Sequence, residues 1–128
     1  MLSNGPLVAF VATTRPDEAR AFYVDVLGLP LTQEDEFALA FLVGPTMLRV
    51  TKVGAGQFQP AGYTILGWEV ADIHAAVDAL VERGVKFERY AEWMHQDAHG
   101  VWAAPGGAQV AWFKDPDGNT LSVTQMHR

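Results

Sequence analysis

Cysteine is absent from this chain of 128 residues. That removes disulfide frameworks, thiolate metal sites and a cysteine nucleophile together. Basic residues are few: 9 Lys and Arg stand against 15 Asp and Glu, for a formal charge of -6. Phosphate backbones are held by clustered Lys and Arg, so no nucleic-acid partner is expected. No apolar run approaches the ~18 residues of a bilayer span. The opening MLSNGPLVAFVATTR has no basic leader, and its short apolar run reads as a strand. No membrane partner and a cytoplasmic location are therefore expected. GxSxG, Walker and GxGxxG patterns are also missing, and Gly54-Ala55-Gly56 reads as linker. What remains is 49% hydrophobic and 19% charged, the balance of one globular domain able to bury a core.

The chain says the same thing twice. In residues 7–53 the apolar run Leu7–Ala12 suits a buried strand. Thr14, three residues before Asp17 and with Pro16 between, predicts a capping-box-like helix start. Ala19, Phe22, Tyr23, Val26 and Leu27 form an amphipathic stripe, and Gly28 is placed to cap it. Phe37–Val43 and Met47–Val53 read as strands around a Gly44-Pro45 turn. After the linker 54–62, residues 63–126 repeat the order. Strand Tyr63–Val70 leads to Asp72 as N-cap and a stripe of Ile73, Val77, Leu80 and Val81, closed by Gly84. Strands are predicted at Val85–Tyr90, Gln109–Lys114 and Thr120–Gln125, the last two joined by the turn Asp115-Pro116-Asp117-Gly118-Asn119. The predicted class is α+β: two tandem βαβββ modules building a curved mixed sheet around one cavity, where small ligands bind.

Three segments carry a resemblance: Ala21-Phe22-Tyr23-Val24-Asp25-Val26-Leu27-Gly28-Leu29, Gly67-Trp68-Glu69-Val70-Ala71-Asp72, and Phe113-Lys114-Asp115-Pro116-Asp117-Gly118-Asn119. With them the chain resembles the vicinal oxygen chelate superfamily of glyoxalase I, extradiol dioxygenases and the fosfomycin- and bleomycin-resistance proteins. The resemblance implies a homodimer, and in the enzymes a divalent metal held by His and Glu from four strands. The matching positions here are Val8, Arg49, Ile65 and Ser122. Val and Ile have no donor atom and Arg is a permanent cation, so no metal and no cofactor are expected there.

Arg49 either holds a ligand carboxylate or pairs with Glu69. His95 and His99 have helical i, i+4 spacing, but Gly100 and Pro105-Gly106-Gly107 speak against a stable helix. A metal pair, a ligand contact through one His and an exposed loop all stay open. Trp93 and Trp102 are candidates for a cavity wall or for pinning the loop. Trp68 and Trp112 read as core or dimer interface, and His74 as solvated. The residues expected at a ligand are Phe10, Arg49, Glu69, Trp93, His95, Trp102 and Ser122. Two functions fit: a metal-free small-molecule binding protein like the antibiotic-sequestering members, or an enzyme (lyase, isomerase or dioxygenase-like) with unusual metal ligands or an Arg and His site.

Overall fold

Strand β1 (Val8–Thr13) alternates as a half-buried strand should: Val11 and Thr13 are buried, while Val8 and Phe10 face outward. The computed structural model describes residues 1–127. The chain divides into two compact units, Met1–Pro60 and Ala61–Arg128, with the boundary inside the predicted linker. Each is a four-stranded mixed sheet with a helix following its first strand, so the α+β class and the two tandem βαβββ modules are observed.

In the first unit, helix α1 (Pro16–Arg20) begins one residue later than Thr14 predicts. Arg15 is the N-cap residue, its N–H donating to Thr13 Oγ1 at 3.0 Å, and Pro16 occupies the first turn. The stripe then continues as a wider π-helical segment, Ala21–Val26, in which Leu27 N–H donates to Phe22 O. Tyr23 on this segment is fully buried, its ring centroid 5.9 Å from that of Phe41. Strands β2 (Leu31–Glu34), β3 (Ala38–Val43) and β4 (Thr46–Lys52) complete the order β1-β4-β3-β2, with β1 parallel to β4 and the other pairs antiparallel. β2 carries no alternating apolar signal, because on an edge only Leu31 is even partly buried. Its end is fixed by charge. Arg20 grips Glu34 with two bonds, of 2.7 and 2.5 Å, and Lys52 Nζ adds a third of 3.0 Å.

The second unit repeats this topology with β5 (Thr64–Glu69), α2 (Ile73–Glu82), β6 (Trp102–Ala103), β7 (Gln109–Lys114) and β8 (Thr120–Gln125), in the order β5-β8-β7-β6. Asp72 caps α2 as predicted, accepting from Ala75 N–H at 3.1 Å. Gly84, at φ 95°, ends it in the left-handed region. Ile73 and Val77 are buried where α2 packs on β7 and β8. Each such aliphatic side chain contributes roughly 1.5–3 kcal/mol of burial. The turn after β7 behaves as read: Asp115 Oδ1 accepts from Asp117 and Asn119 N–H, and Asn119 Nδ2 donates to Asp115 Oδ2 at 2.8 Å.

One predicted strand is not formed. Val85–Tyr90 makes a single antiparallel bridge, Phe87 to Phe113, and the edge beside β7 is taken by β6 from what the sequence marks as loop. The cause is Gln96. Its amide accepts from Tyr90 N–H and donates to Glu88 O and Gly100 O, all within 3.0 Å, so it takes the backbone groups a strand would use.

The Arg20 and Lys52 contacts hold the Glu34 carboxyl down at about 2, against 4.5 ordinarily. A depressed carboxyl stabilises the fold above its unfolded value and loses that contribution as pH falls through the folded one. Glu34 keeps 26% of its side-chain exposure, so solvent screens the pair and the contribution is small. Urea unfolding at stepped pH is expected to show Glu34→Gln less stable than wild type by a fixed margin above pH 4.5, closing as pH falls to about 2. A margin constant down to pH 2 would refute the assignment.

Candidate functional site

Register decides which side chains share the face of the second sheet away from α2. Trp112 pairs with Ser122, and Ser122 with Gly67, while Trp102 pairs with Val110 two residues earlier. Phe113, Leu121 and Val123 therefore turn toward α2, and Trp112, Trp102 and Ser122 turn away from it. The two indoles tilt against each other at 6.0 Å between centroids. Trp112 Nε1–H donates to Thr64 Oγ1 at 2.9 Å, and the Tyr90 ring meets Trp112 edge-on at 5.4 Å.

Beside them opens a groove of about 480 Å³, lined by Tyr63, Thr64, Tyr90, Trp93, Met94 and Trp112. Trp93 is 72% exposed and Tyr63 69%, a concentration of aromatic surface in water that an ordinary fold would avoid. Burial pushes the Tyr90 hydroxyl up, assisted by the charge of Glu88, so the phenol stays neutral at physiological pH.

The sequence candidates separate. Trp93 lines this groove. Trp102 lies behind it against Trp112, and Ser122 is buried beneath Gly67. Glu69 is exposed at the end of β5, opposite Thr124. His95, with a left-handed φ of 53°, ends the turn Glu92–Met94 and lines a separate hollow with Arg89, Glu92 and Gln96. It does not join His99, whose partners are on α2. Phe10 and Arg49 belong to the first unit, paired side by side on β1 and β4, with the exposed Val8 and Met47 one pair along on the same face. Trp112, Tyr90 and Tyr63 are aromatic lining residues that the sequence reading missed, and the first two fix the groove's wall. The alternation of Trp112 with the core residues Ala111 and Phe113 was the available signal for the first. For Tyr90 there was none, because its place depends on Gln96.

A family model described as Glyoxalase/Bleomycin resistance protein/Dioxygenase superfamily matches residues 7–123. The chain belongs to this superfamily. No curated protein matches it. Among solved structures it is similar to a glyoxalase family protein from Bacillus anthracis, at 21% identity and TM-score 0.73, over 97% of this chain and 96% of that one. It is similar to a lactoylglutathione lyase from Agrobacterium tumefaciens, at 23% identity and TM-score 0.64, over 95% and 93%. It is also similar to TnmS3, an antibiotic-binding protein from Streptomyces sp. CB03234, at 22% identity and TM-score 0.70, over 99% of both chains. At such identities the likeness establishes the fold.

At the positions that the resemblance implies for the metal of the superfamily's enzymes, the residues present do not suit a divalent ion. These positions, as the resemblance implies them, are Val8 and Arg49 in the first unit and Ile65 and Ser122 in the second. The one neutral oxygen among them, Ser122 Oγ, would lie 2.6 Å from a Cβ placed on Gly67 and is closed over by β5. No carboxylate or imidazole stands at these four positions.

The packing on Ser122 is testable. Gly67→Ala is expected to cost about 1–3 kcal/mol in chemical denaturation, the usual penalty for overpacking. Adding Ser122→Ala should recover most of that loss, whereas an unchanged loss would show that β5 does not press on the hydroxyl.

Proposed function

We propose that this glyoxalase-like chain binds a flat aromatic small molecule in the Tyr63–Tyr90–Trp93–Trp112 groove, as a binding protein that is metal-free at the superfamily's ligand positions and not an enzyme. The observation that carries the reading is the groove itself. Four aromatic side chains and Met94 surround about 480 Å³, with Trp112 fixed by its bond to Thr64. Rigid aromatic faces give contact area at little entropic cost, and a stacked pair adds ~0.5–1.5 kcal/mol beyond burial. The donor-poor positions Val8, Arg49, Ile65 and Ser122 support the metal-free part. The likeness to an antibiotic-binding protein supports the ligand class. The proposal includes a homodimer, in which a second copy would cover part of the exposed aromatic surface. Among the described residues no helix is long and apolar enough to cross a membrane.

Titration with planar polycyclic aromatics, an anthraquinone and an acridine, is expected to quench tryptophan fluorescence saturably. Trp93→Ala and Trp112→Phe should each weaken binding about 10-fold, equivalent to about 1.4 kcal/mol. Quenching that fails to saturate, or that ignores both substitutions, would sink the proposal. Consumption of the compound, followed by mass spectrometry, would transfer the groove to the enzyme reading. Sedimentation velocity should show a dimer.

A further inference from the structure

On the α2 side of the second unit, away from the aromatic groove, four chemistry-bearing side chains converge. His74 and Asp78 stand i, i+4 on α2 and so share one helix face. Asp97 and His99 come from the loop that Gln96 folds. His74 Nε2 lies 2.8 Å from Asp97 Oδ2, and His99 Nε2 lies 3.1 Å from Asp78 Oδ1. The two imidazoles meet edge to face with centroids 4.7 Å apart. One ligand atom from each of His74, Asp97 and His99 falls within 4.8 Å of the others.

We propose that His74, Asp97 and His99 form a binding site for a divalent transition-metal ion of the zinc type. The donor set is two nitrogens and one oxygen, the set borderline ions prefer, with a water left to complete four-coordination. Bonds of about 2.0–2.1 Å in a tetrahedron place ligand atoms roughly 3.3 Å apart. The 2.8 Å between His74 and Asp97 lies just inside that figure, and no separation among the three exceeds 4.8 Å.

The carboxylate is already oriented. Asp97 Oδ1 accepts from His99 N–H at 2.9 Å and Val101 N–H at 3.0 Å, which leaves Oδ2 directed at His74. The loop beneath is held in turn. The Arg89 guanidinium donates to Asp97 O and, at 2.6 Å, to Ala98 O. Asp78 supplies the carboxylate that orients a ligating imidazole, an arrangement whose loss ordinarily costs 10–100-fold in metal affinity. Access is open: His74 keeps 40% and His99 36% of side-chain exposure. A groove of about 420 Å³, lined by Asp78, Phe87, Arg89 and His99 among others, runs alongside. An ion here would tie the loop bearing Trp93 and His95 to α2.

The test uses the full chain stripped with chelator and titrated with zinc chloride alone by calorimetry, with Co²⁺ absorption as a second readout. Expected are one ion per chain, visible Co²⁺ bands of a four- or five-coordinate site, and a higher Tm with zinc. Affinity should fall at least about 10-fold in His74→Gln and His99→Ala, and about 10-fold in Asp78→Asn. His74→Gln keeps a donor for Asp97 and so separates loss of metal from loss of fold. His95→Ala should bind as wild type does. The inference is overturned by no saturable uptake, by uptake indifferent to His74→Gln and His99→Ala, or by uptake lost in His95→Ala.

Discussion

A slip of one residue between β7 and β8 would exchange Trp112 with Phe113, and the aromatic groove of the second unit rests on that register. In the observed pairing Trp112 lies opposite Ser122 and Phe113 opposite Leu121. Phe113 is then buried against Phe87 and Trp68, and Trp112 is free to meet Trp102 and Tyr90. The register is held from two ends. The Asp115–Asn119 turn fixes the connection length, and Trp112 donates to Thr64 on β5, the strand on the far side of β8. Because strand side chains alternate strictly, no intermediate arrangement exists.

The loop from Glu88 to Val101 converts that sheet into two separate surfaces. Its spine is a small set of side-chain-to-backbone bonds: Gln96 to Glu88, Tyr90 and Gly100, Asp97 to His99 and Val101, and Arg89 to the carbonyls of Asp97 and Ala98. These bonds use up backbone groups that would otherwise extend the β7 edge, leaving only the two-residue β6. On one side the loop presents Trp93 and Met94 to the aromatic groove, and on the other His99 and Asp97 to α2. A binding surface and a candidate ion site are thus mounted on one tethered segment. The tether explains how exposed aromatic side chains hold their places without a core beneath them.

Much of this architecture was legible because it is local. The helical segments ending before Gly28 and Gly84, the Asp72 cap and the Asp115–Asn119 turn each need only a few neighbouring residues, and each formed, although Val81 of the second stripe stands exposed. Where the reading departed, distant partners had intervened. β2 is held by Arg20 from the helix, with Lys52 from β4, and the strand predicted at Val85–Tyr90 is preempted by Gln96. His74 reads as a solvated residue in a first helical turn, yet it meets Asp97 from twenty-three positions away.

The amino-acid order by itself determined the two βαβββ modules and put no carboxylate or imidazole at Val8, Arg49, Ile65 and Ser122. Periodicity, capping and side-chain chemistry are properties of the chain at short range. Which aromatics gather at the groove, and which histidine His99 faces, was decided only by tertiary structure. His95 and His99 are neighbours in sequence, but the left-handed residue at His95 and the Asp97 turn point them apart, and folding brings His74 to the place that spacing had suggested for His95.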